Sequence, residues 1–129
     1  MVTKTNLKIK LNEKLNYYIS IITKCIKVDK IILFGSFSKG NPHEYSDIDI
    51  AVISPELDIN KSRYENIREI KDRANLLDPD LQLLAYPTTV FENELGVERL
   101  FIREIKKTGK VVYPNGNGNF VVMADLDLS

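Results

Sequence analysis

Two aspartates interrupt an apolar, strand-like stretch near the middle of the chain, within GSFSKGNPHEYSDIDIAV (Gly35 to Val52). Asp47 and Asp49 lie two residues apart and follow a Gly-Ser pair after ten intervening residues. Acidic side chains are poor strand formers and are rarely buried without a partner. A fold that contains this strand must therefore supply something that compensates for the two charges.

The hydrophobic periodicity of the chain alternates between helix-like and strand-like segments. It predicts helices over Leu11–Ile26 (begun by Asn12), about Ser62–Leu77 and about Val97–Thr108, one helical turn over Ser36–Lys39, and strands over Lys30–Phe34, Asp47–Ile53, Leu81–Ala85 and Lys110–Tyr113. The second helix is expected to face inward with Tyr64, Ile67, Ile70, Ala74 and Leu77. This interleaving indicates an α/β (α+β) fold in which helices cover one small mixed sheet.

Length and composition restrict the classes of protein further. We expect residues 1–114 to form a single domain, with 115–129 as a tail whose order the sequence does not fix. With 18 basic and 18 acidic side chains the net charge is zero, so no global field favours nucleic acid or a membrane surface. No apolar run reaches the length of a membrane span, and the single Cys25 excludes an internal disulfide. These features predict a cytoplasmic protein.

The strand carrying Asp47 and Asp49 has the composition of a metal-binding edge. Residues two apart on a strand point to the same face, with Cα atoms roughly 6.5 to 7 Å apart. Two neighbouring carboxylates repel each other unless a proton, an arginine or a metal ion lies between them. Oxygen-only ligands favour a hard cation, and Mg²⁺ suits a site with few carboxylates completed by water and phosphate.

The Gly-Ser pair upstream has the composition of a phosphate site. Gly35 permits close approach of a phosphate, while Ser36 offers a hydroxyl and an amide at the start of a helical turn. Lys39 adds a positive charge near this turn. A triphosphate bound here would complete the coordination of a metal held by Asp47 and Asp49, an arrangement suited to nucleotidyl transfer.

The chain resembles the minimal nucleotidyltransferases of the DNA polymerase beta superfamily. The resemblance rests on Gly35 and Ser36, the ten-residue spacer and SDIDIAV (Ser46 to Val52), and extends less specifically through DPDLQLLAYP (Asp78 to Pro87) and FIREIKKTGKVVY (Phe101 to Tyr113). It implies that the Gly-Ser pair binds nucleotide phosphates, that the two aspartates bind two Mg²⁺ ions, and that a third carboxylate on a nearby strand helps to activate the acceptor hydroxyl.

The third carboxylate is where this sequence departs from the family pattern. Gln82 stands where relatives commonly have an acid, and an amide cannot carry negative charge or accept the proton of a nucleophile. Asp80 shares a strand face with Gln82 if the strand extends that far, and is the candidate substitute. The alternative for Asp80 is a turn role within Asp-Pro-Asp. His43, the single histidine, is interpreted as a polar loop residue.

The resemblance implies transfer of a nucleoside monophosphate, AMP in particular, from an NTP such as ATP to an acceptor hydroxyl on a partner protein. It points to the MNT component of toxin–antitoxin pairs, whose partner is a helical HEPN-type protein. Gln82 favours an alternative, a binding module with this fold but little or no turnover. A sugar-nucleotide transferase with an Asp-x-Asp motif is a third possibility, which the Gly-Ser placement does not support.

Overall fold

The computed structural model describes residues 4–35 and 48–114, with side chains from Lys10 onward. The elements are, in order, α1 (Lys4–Cys25), β1 (Lys30–Phe34), β2 (Ile48–Ser54), α2 (Arg63–Ala74), β3 (Leu81–Pro87), α3 (Thr88–Asn93), α4 (Arg99–Thr108) and β4 (Lys110–Tyr113). The predicted turn at Ser36–Lys39 and the predicted tail from Asn115 lie outside the described residues. Within the described ranges, no helix combines the length and the hydropathy that crossing a membrane requires.

The four strands form one mixed sheet in the order β3-β2-β1-β4. β1 pairs antiparallel with both β2 and β4, whereas β2 pairs parallel with β3. β2 therefore lies inside the sheet and is paired on both sides, which accounts for the burial of nearly all of its side chains. The predicted mixed sheet with helical layers is confirmed.

Helices cover both faces of the sheet. On one face α1 and α2 pack on the apolar side chains that alternate along the strands, including Ile50 of β2 and Leu83 of β3. On the opposite face Phe91 of α3 and Ile102 of α4 pack on the other set, including Ile53. Because strand side chains alternate between faces, Asp49 belongs to the α3/α4 face, whereas Ile48 belongs to the α1/α2 face.

The first helix begins earlier than its sequence pattern suggests. The predicted start at Leu11 with Asn12 as a cap is wrong, because α1 is already helical from Lys4. Leu11 and Leu15, one turn apart, are both buried in the core. Asn12 therefore lies within the helix and not at its N-terminus.

The second helix is shorter than predicted, and Ile67, Ile70 and Ala74 of its predicted inward face do pack in or against the core. Ser62 caps it through a reciprocal capping box with Glu65, and Asn75 ends it in the left-handed conformation. Leu77 therefore lies beyond the helix and is 84% exposed, so its prediction as a core residue is wrong.

Tyr64 was also expected to face inward, but 71% of its surface is exposed. The helix instead buries Asn66, together with the predicted Ile70 and Ala74. The Asn66 side chain accepts a hydrogen bond from the Asp58 amide and donates one to the Asp58 carbonyl. A buried polar residue with both partners satisfied thus replaces the expected aromatic one.

Candidate active site

Asp49 lies at the start of β2, between two neighbouring strands. Its register partners are Phe34, the last residue of β1, and Gln82, the second residue of β3. Paired residues on adjacent strands point to the same face, so the three side chains stand in one row. The Asp49 carboxylate is therefore held at the end of the sheet where β1 finishes and β2 and β3 begin.

Gly35 follows Phe34 directly and lies against the Asp49 side chain. Its φ of +77° is in the left-handed region, which favours glycine. A Cβ added to Gly35 would overlap the Asp49 carboxylate and lie 3.0 Å from its Cγ. Glycine at this position thus lets the carboxylate rest directly on the main chain that follows β1.

Gln82 occupies the β3 position beside Asp49. Its side chain is exposed, whereas its neighbours Leu81 and Leu83 point into the α1/α2 core. The structure therefore brings an amide, and not a carboxylate, next to Asp49 on the adjacent strand. An amide oxygen can bind a hard cation, but it does not act as a base.

Asp80 lies in the turn that precedes β3. Lys14 of α1 contacts its carboxylate, with Nζ 3.2 Å from Oδ2. Its carbonyl accepts a 2.8 Å hydrogen bond from the amide of Ile48. The structure thus gives the Asp80 side chain a cation partner on α1, and its assignment as the third acid stays a prediction.

The turn containing Asp80 is anchored by its neighbour Asp78. The amide of Asp80 donates to Asp78 Oδ1 over 2.9 Å, and the hydroxyl of Tyr18 donates to Asp78 Oδ2. The bond from Tyr18 is the main factor that lowers the pKa of Asp78. Burial, and then the bond to Asp78, raise the pKa of Tyr18, so this phenol stays protonated as a donor.

An aromatic pair adjoins the site on the α4 side. The rings of Phe34 and Phe101 meet edge to face with centroids 6.0 Å apart, and Phe101 is 42% exposed. Sequence reasoning missed this pair because the two residues are far apart in the chain. No local pattern signals the contact, which depends on how α4 crosses the sheet.

A separate pocket of about 520 Å³ lies at the other end of β3. Tyr86 and Pro87 contribute to its wall, together with the Arg63–Glu98 ion pair, in which Nη1 and Oε1 are 2.6 Å apart. Asp49 and Gln82 do not line it, because they stand at the opposite ends of the parallel strands β2 and β3. The pocket is therefore distinct from the predicted phosphate-metal site.

Several predicted site residues fall outside the described part of the chain: Ser36, Lys39, His43 and Asp47. Within the described residues, no group of three or more histidine, cysteine or acidic side chains could hold a metal ion. Asp49 and Gln82 nevertheless offer a carboxylate and an amide oxygen in one row beside the Gly35 backbone. This oxygen-only donor set fits Mg²⁺ if Asp47 adds the second carboxylate.

A comparison with protein families agrees with this geometry. The model for the family described as polymerase beta, nucleotidyltransferase matches residues 13–117 of the chain. The chain belongs to this nucleotidyltransferase family. The match includes the Gly35 turn, β2 with Asp49, and β3 with Gln82, so the predicted family is confirmed.

One curated relative is the protein adenylyltransferase MntA of Shewanella oneidensis. It is 41% identical to this nucleotidyltransferase over 58 residues, which is 45% of this chain and 40% of MntA. The chain thus spans less than half the length of the curated relative that it matches. The similarity supports an MNT-type nucleotidyltransferase.

Two solved structures share the fold. One is a protein from Sulfolobus solfataricus assigned as a nucleotidyltransferase, with a TM-score of 0.66, 12% identity and 92% coverage of both chains. At that identity it supports the fold alone. The other is a toxin–antitoxin structure with AMP-PNP, with a TM-score of 0.51, 27% identity, and coverage of 79% of this chain and 74% of that chain.

We predict that Gly35→Ala is more destabilising than Gly96→Ala. Both glycines have positive φ, so both substitutions carry the backbone strain of about 1 kcal/mol. Only at Gly35 does the new methyl group meet Asp49, whereas nothing lies within 4 Å at Gly96. Overpacking should add about 1–3 kcal/mol, measured by urea unfolding. Equal losses for the two variants would contradict a close Gly35–Asp49 contact.

We predict that Asp78 makes stability depend on pH in the acid range. Its pKa in the folded protein lies below the ordinary value of an aspartate. The stabilisation is therefore complete above that value and is lost as the pH falls through the lower folded pKa. Urea unfolding between pH 7 and pH 3 should show a steeper acid loss for the wild type than for Tyr18→Phe. Identical slopes would argue against the Tyr18–Asp78 hydrogen bond.

Proposed function

We propose that this chain transfers AMP from ATP to a hydroxyl group on a partner protein, with Mg²⁺ held by Asp47 and Asp49. The observation that carries the proposal is the Asp49 carboxylate resting on Gly35, the first residue of the Gly-Ser pair. That contact supports the proposal because the proposed metal ligand lies beside the Gly35 backbone, which would bind the triphosphate. The name of MntA, a protein adenylyltransferase, and the AMP-PNP of the toxin–antitoxin structure support adenylyl transfer.

In the proposed reaction the acceptor oxygen attacks the α-phosphorus of ATP. A new oxygen–phosphorus bond forms, the bond from the α-phosphorus to its bridging oxygen breaks, and pyrophosphate leaves. Gly35, Ser36 and Lys39 orient the phosphates, while Asp47 and Asp49 hold the cation. Bound Mg²⁺ supplies positive charge that offsets the charge on the phosphate oxygens.

The hydroxyl proton needs an acceptor, and here the site is unusual. Gln82 stands beside Asp49 but cannot take a proton. The Asp80 carboxylate lies in the turn and contacts Lys14. Transfer would then rely on Asp80, if it turns toward the acceptor, or on water. This observation favours a second candidate function, a slow or inactive nucleotidyltransferase that binds its partner as an antitoxin or scaffold.

The test of transfer uses α-labelled ATP, Mg²⁺ and the product of any adjacent gene that encodes a small helical protein. We expect label on that partner, reduced about a hundredfold or more in Asp47→Asn and in Asp49→Asn because each loses a metal ligand. His43→Ala is the control and should keep the wild-type rate. Tight partner binding without label, unchanged by the aspartate substitutions, would instead support the binding module.

A second pair of variants decides which residue completes the site. Gln82→Asp would place a carboxylate beside Asp49, and we expect the rate of transfer to rise about tenfold or more because a general base is added. Asp80→Asn should abolish transfer if Asp80 is the proton acceptor. Full retention of the rate in Asp80→Asn would show that Asp80 is not the proton acceptor. An unchanged rate in Gln82→Asp would show that proton removal does not limit the reaction.

A further inference from the structure

A continuous series of hydrogen bonds joins helix α1 to the first residue of β2. Tyr18 is 1% exposed, and its hydroxyl donates to Asp78 Oδ2. The second oxygen of that carboxylate accepts the Asp80 amide. The Asp80 carbonyl accepts the amide of Ile48. The path thus crosses from α1 through the turn of residues 78–80 to β2.

The path ends at Ile48, next to the proposed metal ligands. Ile48 directly precedes Asp49 and directly follows Asp47, the two proposed metal ligands. Its side chain is buried in the α1/α2 core, while its amide is bound by the turn. The side chain of Ile48 is therefore held by the α1/α2 core, and its main chain is held by the turn that leads into β3.

The Asp78 carboxylate has the properties of an anchor within this path. It accepts one hydrogen bond on each oxygen, from partners on two different parts of the chain. One of these partners, Tyr18, is fully enclosed by the core, so its hydroxyl is held in place by packing. Lys14, on the same helix, contacts Asp80 in the same turn and adds a second, more exposed link.

We infer that Tyr18 and Asp78 are positioning residues for the nucleotidyl-transfer site. They hold the turn of residues 78–80, which fixes Ile48 and thereby the strand that presents Asp49 beside Gly35. They touch neither nucleotide nor acceptor in this assignment, which rests on the proposed function. A displacement of even 1 Å at a reacting centre can cost about a hundredfold in rate, so a rigid anchor of this kind has a catalytic effect.

The test compares Tyr18→Phe with Tyr17→Phe, a matched removal of one hydroxyl from the adjacent tyrosine, which is 58% exposed. In the first arm, hydrogen exchange is measured at the amide of Ile48 and, as an internal reference, at Val52 further along β2. We expect exchange at Ile48 to rise about tenfold or more in Tyr18→Phe relative to Val52, with no change in Tyr17→Phe. This arm requires no activity.

The second arm measures the Mg²⁺ concentration for half-maximal binding of a non-hydrolysable ATP analogue. Where label transfer occurs, the Mg²⁺ concentration for half-maximal transfer is measured as well. We expect this Mg²⁺ concentration to increase several-fold in Tyr18→Phe and to stay unchanged in Tyr17→Phe. The Mg²⁺ concentration should rise less in Asp78→Asn than in Asp78→Ala, because the remaining amide oxygen of asparagine still accepts the hydrogen bond from the Asp80 amide. A general loss of stability would not produce this rescue together with a local change at Ile48.

The outcomes separate the inference from the proposed function. Absence of transfer in the wild type rejects the proposed enzyme, while the exchange and analogue-binding arms still decide the positioning role. Equal behaviour of Tyr18→Phe and Tyr17→Phe overturns the inference, even if the wild type transfers label. Faster exchange at Ile48 with an unchanged Mg²⁺ dependence also overturns it, because the anchor would then have no effect on the metal ligands.

Discussion

The pairing of β2 on both of its edges is the constraint on which the rest of the structure depends. Antiparallel pairing with β1 and parallel pairing with β3 fix where Asp49 stands relative to Phe34 and Gln82. A shift of one residue in either register would turn the Asp49 side chain toward the apolar α1/α2 core. The burial of Ile50 and Val52 opposes that shift, so the hydrophobic core sets the position of the charged site.

The charge of Asp49 explains why a cation and a nucleotide would bind together at this position. An aspartate on a largely buried strand is unfavourable by itself, and the structure places it at the strand end, half-buried against the Gly35 backbone. A cation bound there would offset its charge, and a nucleotide would complete the coordination. With Gln82 in place of an acid, the described row carries one carboxylate, so in the proposed reaction the balance between binding and turnover would depend on how the acceptor proton is removed.

Local patterns predicted most of the elements but not where each helix ends or what it buries. Leu77 fits the apolar spacing of α2, but the left-handed Asn75 ends that helix before Leu77 is reached. Tyr64 fits the same spacing, yet Asn66 is buried because the backbone of Asp58 satisfies its amide. Both outcomes depend on partners outside the helix, and helical periodicity carries no information about them.

The sequence by itself supplied the Gly-Ser pair, the ten-residue spacer, the alternation that predicts Asp47 and Asp49 on one face, and the resemblance to the family that the comparison confirms. These are local properties, because spacing along a strand fixes direction without reference to other segments. Only the tertiary structure decided that Gln82 is the residue paired with Asp49, and that Asp78 and Asp80 connect Tyr18 to Ile48. Those pairings join segments that are distant in the chain, and they follow from strand register and helix packing, which the core determines as a whole.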